Sequence, residues 1–459
     1  MADNCPTTWN FNFYPYERRK NDMKVTKFGG SSMADAGQYR KVRDIVLADP
    51  ERTVVVVSAP GKRFSKDHKV TDLLYLCGAH TKYGVACDPV FNLIVERYTS
   101  IRDELNIDLD LETEFAVLKK GIDAKKISMD ELVSRGEYFS AKLIAAYLGF
   151  DFIDAADWVK FGMDGNVNQE ETYQALKERA FGKKIVTPGF YGAMPDGRIH
   201  TFSRGGSDIT GALAAAALDA EVYENWTDVS GILMADPRIV DNPEAIAEVT
   251  YDELRELSYS GAQVLHEGSI FPVREKNIPL NIRNTNAPND PGTIIMERFD
   301  EDHEPDRFIT GITGMKDFSI ISLSKRGMSN QVGVLHKVLT VLVRHNVSVD
   351  YVPNGIDNVS VVAPTEALAP NLYTILAEIQ KEVEPDSLEV HDQIAVVAAV
   401  GRQMAYRPGI SGKLFAALGN AGINIRMINQ GPDELNIIIG VDNKDFKNAI
   451  RVLYDSFAK

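Results

Sequence analysis

The stretch Phe202-Ser-Arg-Gly-Gly-Ser-Asp-Ile-Thr-Gly-Ala-Leu-Ala-Ala-Ala-Ala-Leu218 runs a polar turn straight into an alanine-rich segment. Ala and Leu are strong helix formers, so the composition predicts a buried helix over 209–218. The turn then lies at that helix's N-terminus. Gly205 and Gly206 let backbone N–H groups approach an anion closely, and the helix dipole favours negative charge there. Arg204 adds a rigid two-pronged donor for a carboxylate or phosphate. Asp208 puts a carboxylate where an anion should bind, which suits a site handling an anion and a cation together. A plainer reading is a capped core helix whose first turn is served by Asp208. The turn alone does not separate the two.

Working outward, strands and helices alternate. Lys24-Val-Thr-Lys-Phe-Gly-Gly-Ser-Ser32 reads as a strand breaking into a glycine turn, with a helix over 38–48 behind it. Thr53-Val-Val-Val-Val57 is a β-branched run of the kind buried on both faces. It ends at Ser58-Ala-Pro-Gly61, and loops at the C-terminal ends of strands are where open α/β sheets bind ligands. Lys69–Leu73 enters a helix, and 88–146 reads as mostly helical, with Ser134-Arg-Gly-Glu-Tyr138 inside it. Phe152–Ala155, Lys184–Pro188 and Glu221–Trp226 read as further strands, the last ending at Thr227-Asp228. Thr250-Tyr-Asp-Glu253 is a capping box for the next helix. The alternation predicts an α/β fold, a mainly parallel sheet sandwiched by helices. Asn284–Phe308 is polar and carries Pro288, Pro291, Gly292 and Pro305, which marks a domain boundary.

Beyond it lies an internal repeat. Phe318–Val362 aligns without a gap to Ile394–Ile438 at a constant offset of 76. Each copy reads strand, helix, strand, strand, helix, strand, the split βαβ pattern. The expected organisation is an N-terminal extension 1–22, a catalytic domain 23–284, a linker 285–306, a first repeat 307–392 whose first strand can pair with the second, and a second repeat 393–459.

At 459 residues the chain is too long for one compact core. Its formal charge of −15 argues against nucleic acid and anionic lipid as main partners. Cys5, Cys77 and Cys87 include no CxxC pair, so neither a zinc site nor a disulfide framework is expected, and a reducing cytosol fits best. The apolar runs are too short to span a membrane. Residues 1–22 lack the apolar core of a signal peptide. They read as an extension, with Met23 as an older start.

Neither G-x-x-x-x-G-K-[ST] nor G-x-G-x-x-G occurs. What remains is a set of strand-end turns with cations and backbone donors, the equipment of phosphoryl transfer. Lys27-Phe-Gly-Gly-Ser-Ser, Ser134-Arg-Gly-Glu, Ser203-Arg-Gly-Gly-Ser-Asp, Trp226-Thr-Asp-Val and Asp236-Pro-Arg resemble the motifs of the aspartate kinases, of the amino-acid kinase fold. The tandem repeat resembles that family's paired ferredoxin-like ACT domains, and the length matches the single-function form.

The resemblance implies that ATP, with Mg²⁺, phosphorylates the side-chain carboxylate of L-aspartate, the first step toward lysine, threonine and methionine. By resemblance, Lys27 neutralises the moving phosphoryl group and Asp208 helps position it. Thr71, Glu137, Arg204, Gly206 and Ser207 hold the substrate, Glu137 taking the α-ammonium and Arg204 the α-carboxylate. ATP contacts fall on Lys27, Phe28, Gly29, Gly30, Ser31, Ser58, Thr227, Asp228, Leu233, Arg238, Gln263 and Val264. No protein metal site is implied. Without the resemblance, Lys27 is a solvated strand-end lysine, Glu137 a helix-start carboxylate, and Thr71 and Ser207 capping groups.

Gln263 stands where the family commonly has a nucleotide-contacting lysine, and Leu233 where an aromatic residue is common. The loss of that lysine implies either weaker ATP binding or compensation by Arg238 or Lys276. An amino-acid effector is expected at Gly333, Val334, Leu335, Ser348, Val349 and Asp350, lysine first and threonine second. The repeats are also expected to join subunits into a homodimer or homotetramer. Two other readings stay open: a kinase for another small amino acid such as glutamate, and an amino-acid sensor with a dead kinase domain.

Overall fold

A computed structural model describes residues 22–458, except 204, 263–267, 269, 300–307, 403, 405–406 and 432–434. The expectations for Arg204, Gln263, Val264 and the extension 1–21 lie outside the described residues.

The valine run explains the first architecture. Strand β1 (Lys24–Phe28) is followed by α1 (Ala36–Ala48), then β2 (Arg52–Val57). Val54 and Val56 enter one hydrophobic core, Val55 and Val57 another, because side chains alternate along a strand. Helices α2 (Val70–Lys82), α3 (Asp88–Leu105), α4 (Glu112–Asp123) and α5 (Met129–Leu148) build the second core. Ser128 caps the start of α5, and Gly149 at φ 70° ends it in the left-handed region.

The expected strand Phe152–Ala155 is shorter: β3 is only Asp151–Phe152. The Asp154 side chain accepts the Ala156 N–H and starts α6 (Ala155–Trp158). Next come α7 (Gln169–Ala180), β4 (Ile185–Pro188) and the hairpin β5 (Tyr191–Ala193) with β6 (Ile199–Thr201). The alanine-rich helix α8 spans Gly206–Ala217, so Asp208 lies inside its first turn. A Cβ on Gly211 would meet the Tyr223 ring at 2.4–2.7 Å, so only glycine lets α8 approach β7 (Val222–Thr227) this closely. Strand β8 (Glu248–Thr250) leads into α9 (Tyr251–Tyr259), whose capping box forms in both directions. Helix α10 (Phe271–Glu275), β9 (Leu280–Asn284) and β10 (Thr293–Met296) complete the unit. The strand order is β3-β4-β2-β1-β7-β9-β10-β8, parallel except that β10 runs antiparallel to β9.

Strand β10 lies inside the expected linker 285–306. Its Pro- and Gly-rich flanks hide a four-residue strand that closes the edge between β8 and β9.

The C-terminal sheet has the order β12-β11-β13-β15-β14. It is built from β11 (Gly311–Ser324), α11 (Val334–Arg344), β12 (Asn358–Pro364), α12 (Thr365–Leu368), α13 (Leu372–Val383), β13 (Ser387–Val400), α14 (Ile410–Asn420), β14 (Ile425–Asn429), β15 (Asn436–Asp442) and α15 (Phe446–Phe457). The long strands β11 and β13 run antiparallel from Gly311↔Val400 to Ser324↔Ser387. The two copies are therefore interleaved: Gly311–Met315, at the start of the first repeat, pairs with the second copy's Val396–Val400, as expected for that strand. The strand expected after α11 in the first copy reduces to two isolated bridges, Tyr351↔Val362 and Asn354↔Val359, whereas its counterpart in the second copy is the full strand β14. Pro353, between the two bridges, has no N–H to give to a continuous ladder.

Candidate active site

Strand β1 sits mid-sheet, with β2 on one side and β7 on the other, and all three run parallel. Their C-terminal ends open a crevice at this switch point. Lys27, second from the end of β1, is 7% exposed. Its Nζ lies 2.6 Å from Asp208 Oδ1 on α8. Asn225 of β7 bridges the pair, accepting from Lys27 Nζ at 3.4 Å and donating Nδ2 to Asp208 Oδ1 at 2.9 Å. Three elements thus fix one ammonium. Asn225 was missed by sequence reasoning; its only trace is an amide amid the buried residues of a central strand.

The glycine turn after β1 packs backbone to backbone against the turn after β2. The Gly61 N–H donates to Gly30 O at 2.7 Å, and a Cβ on Gly61 would sit 2.7 Å from Gly30. Arg97, itself buried, holds that second turn by donating to Gly61 O at 2.8 Å and to Asp67 at 2.7 Å. The Arg63 guanidinium, with Arg97 behind it, keeps the Asp67 carboxyl well below the usual carboxylate range. Ser58 and Ser31 belong to these turns. Phe28 does not face the crevice: it is fully buried and stacks on Trp226 at 6.0 Å, leaving only its backbone to a ligand.

Glu137 of α5 lies beneath the Ser58–Gly61 turn. It is 5% exposed, and among the described residues its Oε2 has no hydrogen-bond partner. Burial pushes its carboxyl up to about 8, opposed only by backbone donors at Ala59 and its own N–H. A desolvated carboxyl with a free oxygen is a socket for a cation. Thr71 stands in the first turn of α2, whose Val70 N–H donates to Pro60 O. Ser207 is buried against Gly189, where a Cβ would collide at 2.6 Å, and Gly189 N–H donates to Val57 O. Gly206 leaves no room for a Cβ against Phe190. Thr71, Glu137, Gly206 and Ser207 therefore gather around the ends of β2 and β4.

A cleft of about 790 Å³ extends from Lys27 and Asp208 over Asn225, Thr227, Asp228, Leu233 and Arg238. Arg238 chelates Asp236 through Nε and Nη2. Lys276, the other expected substitute, is not on this wall; it pairs with Asp219 at 3.2 Å. The opposite wall is unexpected: Ile312–Lys316 of β11 and Phe446 and Ile450 of α15 complete the cleft. Ile312 N–H donates to Met234 O at 2.7 Å, tying that wall to the loop after β7.

In the first copy, Gly333 at φ 85° starts α11. Val334 and Val349 belong to one apolar cluster, which brings the Gly333–Leu335 and Ser348–Asp350 segments to one core. Asp350 Oδ1 accepts from Tyr259 Oη, at the end of α9, at 2.8 Å. Cys77 and Cys87 are buried free thiols; Cys5 lies outside the described residues. No helix among the described residues is long and apolar enough to cross a membrane.

A family model for the Amino acid kinase family matches residues 22–284, and one for the ACT domain matches 397–457. Aspartokinase 3 of Bacillus subtilis is 35% identical over 450 residues, 95% of this chain and 98% of that protein. The crystal structure of Clostridium acetobutylicum aspartate kinase superposes with a TM-score of 0.86 at 46% identity, covering 95% of this chain and 99% of that one. Escherichia coli aspartokinase III, solved with aspartate and ADP, superposes with a TM-score of 0.69 at 25% identity, covering 95% and 100%. The same enzyme with lysine and aspartate gives 0.71 at 26% over the same shares. Likeness along nearly the whole length, in sequence and in shape, settles the membership: this chain belongs to the aspartokinase family.

Proposed function

We propose that this chain transfers the γ-phosphoryl group of ATP to the side-chain carboxylate of L-aspartate, releasing ADP and 4-phospho-L-aspartate, in the cytoplasm. The observation that carries the substrate class is Glu137, a buried carboxyl whose Oε2 has no hydrogen-bond partner among the described residues, set beneath the turns that flank Lys27. An α-ammonium supplies the missing partner. Arg204 takes the α-carboxylate, and Thr71, Gly206 and Ser207 supply hydroxyl and backbone donors.

The acceptor carboxylate has a reference pKa of about 3.9 and is already ionised at neutral pH. A carboxylate oxygen forms the new O–P bond as the bond from γ-phosphorus to the bridging oxygen breaks, and charge balances with no proton moved. No general base is needed. The difficulty is bringing two anions together. Lys27, held by Asp208 and Asn225, meets the phosphoryl group as the pair opens, and the Gly29–Ser31 backbone lines its path. Mg²⁺ enters with the nucleotide. Thr227, Asp228, Leu233 and Arg238 hold the rest of ATP in the long cleft, and Ser58 adds a donor from the turn after β2.

Lysine acts as feedback effector at Gly333–Leu335 and Ser348–Asp350 of the first copy, and the ACT sheets join two subunits or four. The reaction is tested by trapping the acyl phosphate with hydroxylamine in the presence of Mg-ATP and aspartate. ATP-dependent aspartyl hydroxamate is expected. Its absence at millimolar substrate, or preferential use of glutamate, overturns the assignment.

A further inference from the structure

The cations on the wall of the nucleotide cleft are unequally free. Lys27 is neutralised by Asp208 and Arg238 by Asp236. Asp228 accepts from the Thr227 hydroxyl. Lys316 lines the same cleft, is exposed, and has neither an ion pair nor a side-chain hydrogen bond among the described residues. Among the described residues, a triphosphate entering this cleft meets one uncommitted ammonium, and it comes from the C-terminal sheet rather than the catalytic domain.

The backbone around Lys316 is fixed. The next residue, Asp317, adopts φ 68°, a conformation that costs a non-glycine residue energy and persists only where the surroundings enforce it. Asn443 enforces it from both sides: its Oδ1 accepts the Asp317 N–H at 3.2 Å and its Nδ2 donates to Asp317 Oδ1 at 2.7 Å. That clamp also turns the Asp317 carboxylate toward Asn443. The β11–β13 register shifts between Met315 and Phe318, so Lys316 sits on a bulge, a device that re-aims side chains. On the near side, a Cβ on Gly261 would lie 2.7 Å from Met315 Cγ and 2.8 Å from Gly314 O. The strand is therefore pressed against the end of the cleft.

We infer that Lys316 is a nucleotide-binding residue whose ammonium pairs with the phosphate tail of the bound triphosphate. This rests on the cleft being the ATP site. It gives the first strand of the C-terminal sheet a direct part in substrate binding. A flexible, point-charge ammonium suits a phosphate tail that changes position as the γ-group leaves.

The test uses the full chain with Lys316→Ala, Lys316→Arg, and Lys183→Ala as a surface control. Lys316→Ala is expected to raise the KM for ATP about tenfold, the scale of one charge-assisted contact, with the KM for aspartate within about twofold. Lys316→Arg restores most of the affinity, and the control changes nothing. Calorimetric titration with ADP and with adenosine reads the contact without turnover: Lys316→Ala weakens ADP and spares adenosine. An unchanged KM for ATP and unchanged ADP affinity overturn the proposal. Equal loss for ADP and adenosine, or no rescue by arginine, assigns Lys316 a packing role and overturns it too. If wild-type enzyme binds ADP but makes no aspartyl hydroxamate, the substrate assignment fails while the Lys316 proposal is still decided by the titrations.

Discussion

The two copies of the repeat share a fold and a register offset but not a situation. The second copy is continuous with the catalytic core: Val396–Val400, Leu414, Leu418, Ile437 and Leu453 belong to one buried cluster with Val249, Leu254 and Leu257. Polar contacts reinforce that seam. Arg402 Nε lies 2.9 Å from the fully buried Glu253, Tyr454 Oη accepts from Glu244 N–H at 2.9 Å, and Arg451 Nε donates to Ile239 O at 2.6 Å. The first copy keeps its own core of Ile321, Leu323, Val338, Ile375 and Ile379. Away from the β11 segment that lines the cleft, Tyr259 Oη of the catalytic domain donates to the first copy's Asp350 at 2.8 Å. The second copy, with the opening segment of β11, thus became a wall of the cleft, and the rest of the first copy packs on its own core. What differs is not the topology but which face found a partner to bury it.

The contrast can be broken at the seam. Glu253→Ala should have the largest effect, since it removes a fully buried carboxylate from the half-buried Arg402 guanidinium and takes away half of the α9 capping box. Loss of one partner of a buried pair costs about 3–5 kcal/mol, so thermal melting should fall steeply and ATP binding with it. A shift of only a degree or two would mean that the second copy is merely leaning on the catalytic domain.

Matched cavities sharpen the comparison. Leu414→Ala and Ile375→Ala each delete fully buried methyl groups, at about 2–5 kcal/mol apiece. Leu414→Ala should raise the KM for ATP. Ile375→Ala should leave uninhibited turnover within about twofold and weaken the response to lysine. Equal effects on ATP would erase the distinction between the copies.

The smallest change is Tyr259→Phe, which removes one hydroxyl from Asp350. One hydrogen bond is worth about 0.5–1.5 kcal/mol, so the lysine concentration for half inhibition should move a few-fold without a change in melting temperature. Inhibition curves for the two proteins should therefore separate while their uninhibited rates coincide.

Much of this was legible in residue order, for local reasons. The Thr250–Glu253 box, the valine run of β2 and the alanine helix α8 each carry their structure in a few adjacent side chains. The glycine turn after β1 was read from its residues, but the direct ion pair of Lys27 with Asp208 was not. What escaped was tertiary. Strand β10 is four residues among prolines, and only its neighbours β8 and β9 make it a strand. Asn225 gains meaning from Lys27 and Asp208, far away along the chain. Lys276 looked available as a nucleotide cation, but a surface pair with Asp219 takes it elsewhere, and among the described residues lining the cleft the unpaired lysine is Lys316, across an expected domain boundary. The first copy's strand after α11 is broken into two bridges by Pro353, which has no N–H for the ladder.

The most direct test of an ammonium bound by Glu137 is the pH dependence of kcat/KM for aspartate, which reports groups in the free enzyme. Burial holds this carboxyl neutral below about 8, and only its ionised form pairs with an ammonium, so binding must strengthen as pH rises through that value. Wild-type kcat/KM for aspartate should climb from about pH 6.5 to a plateau with a midpoint near 8, and Glu137→Gln should be low and without that limb. A flat wild-type profile, or the same limb in Glu137→Gln, would contradict the assignment of Glu137 as the substrate's ammonium site.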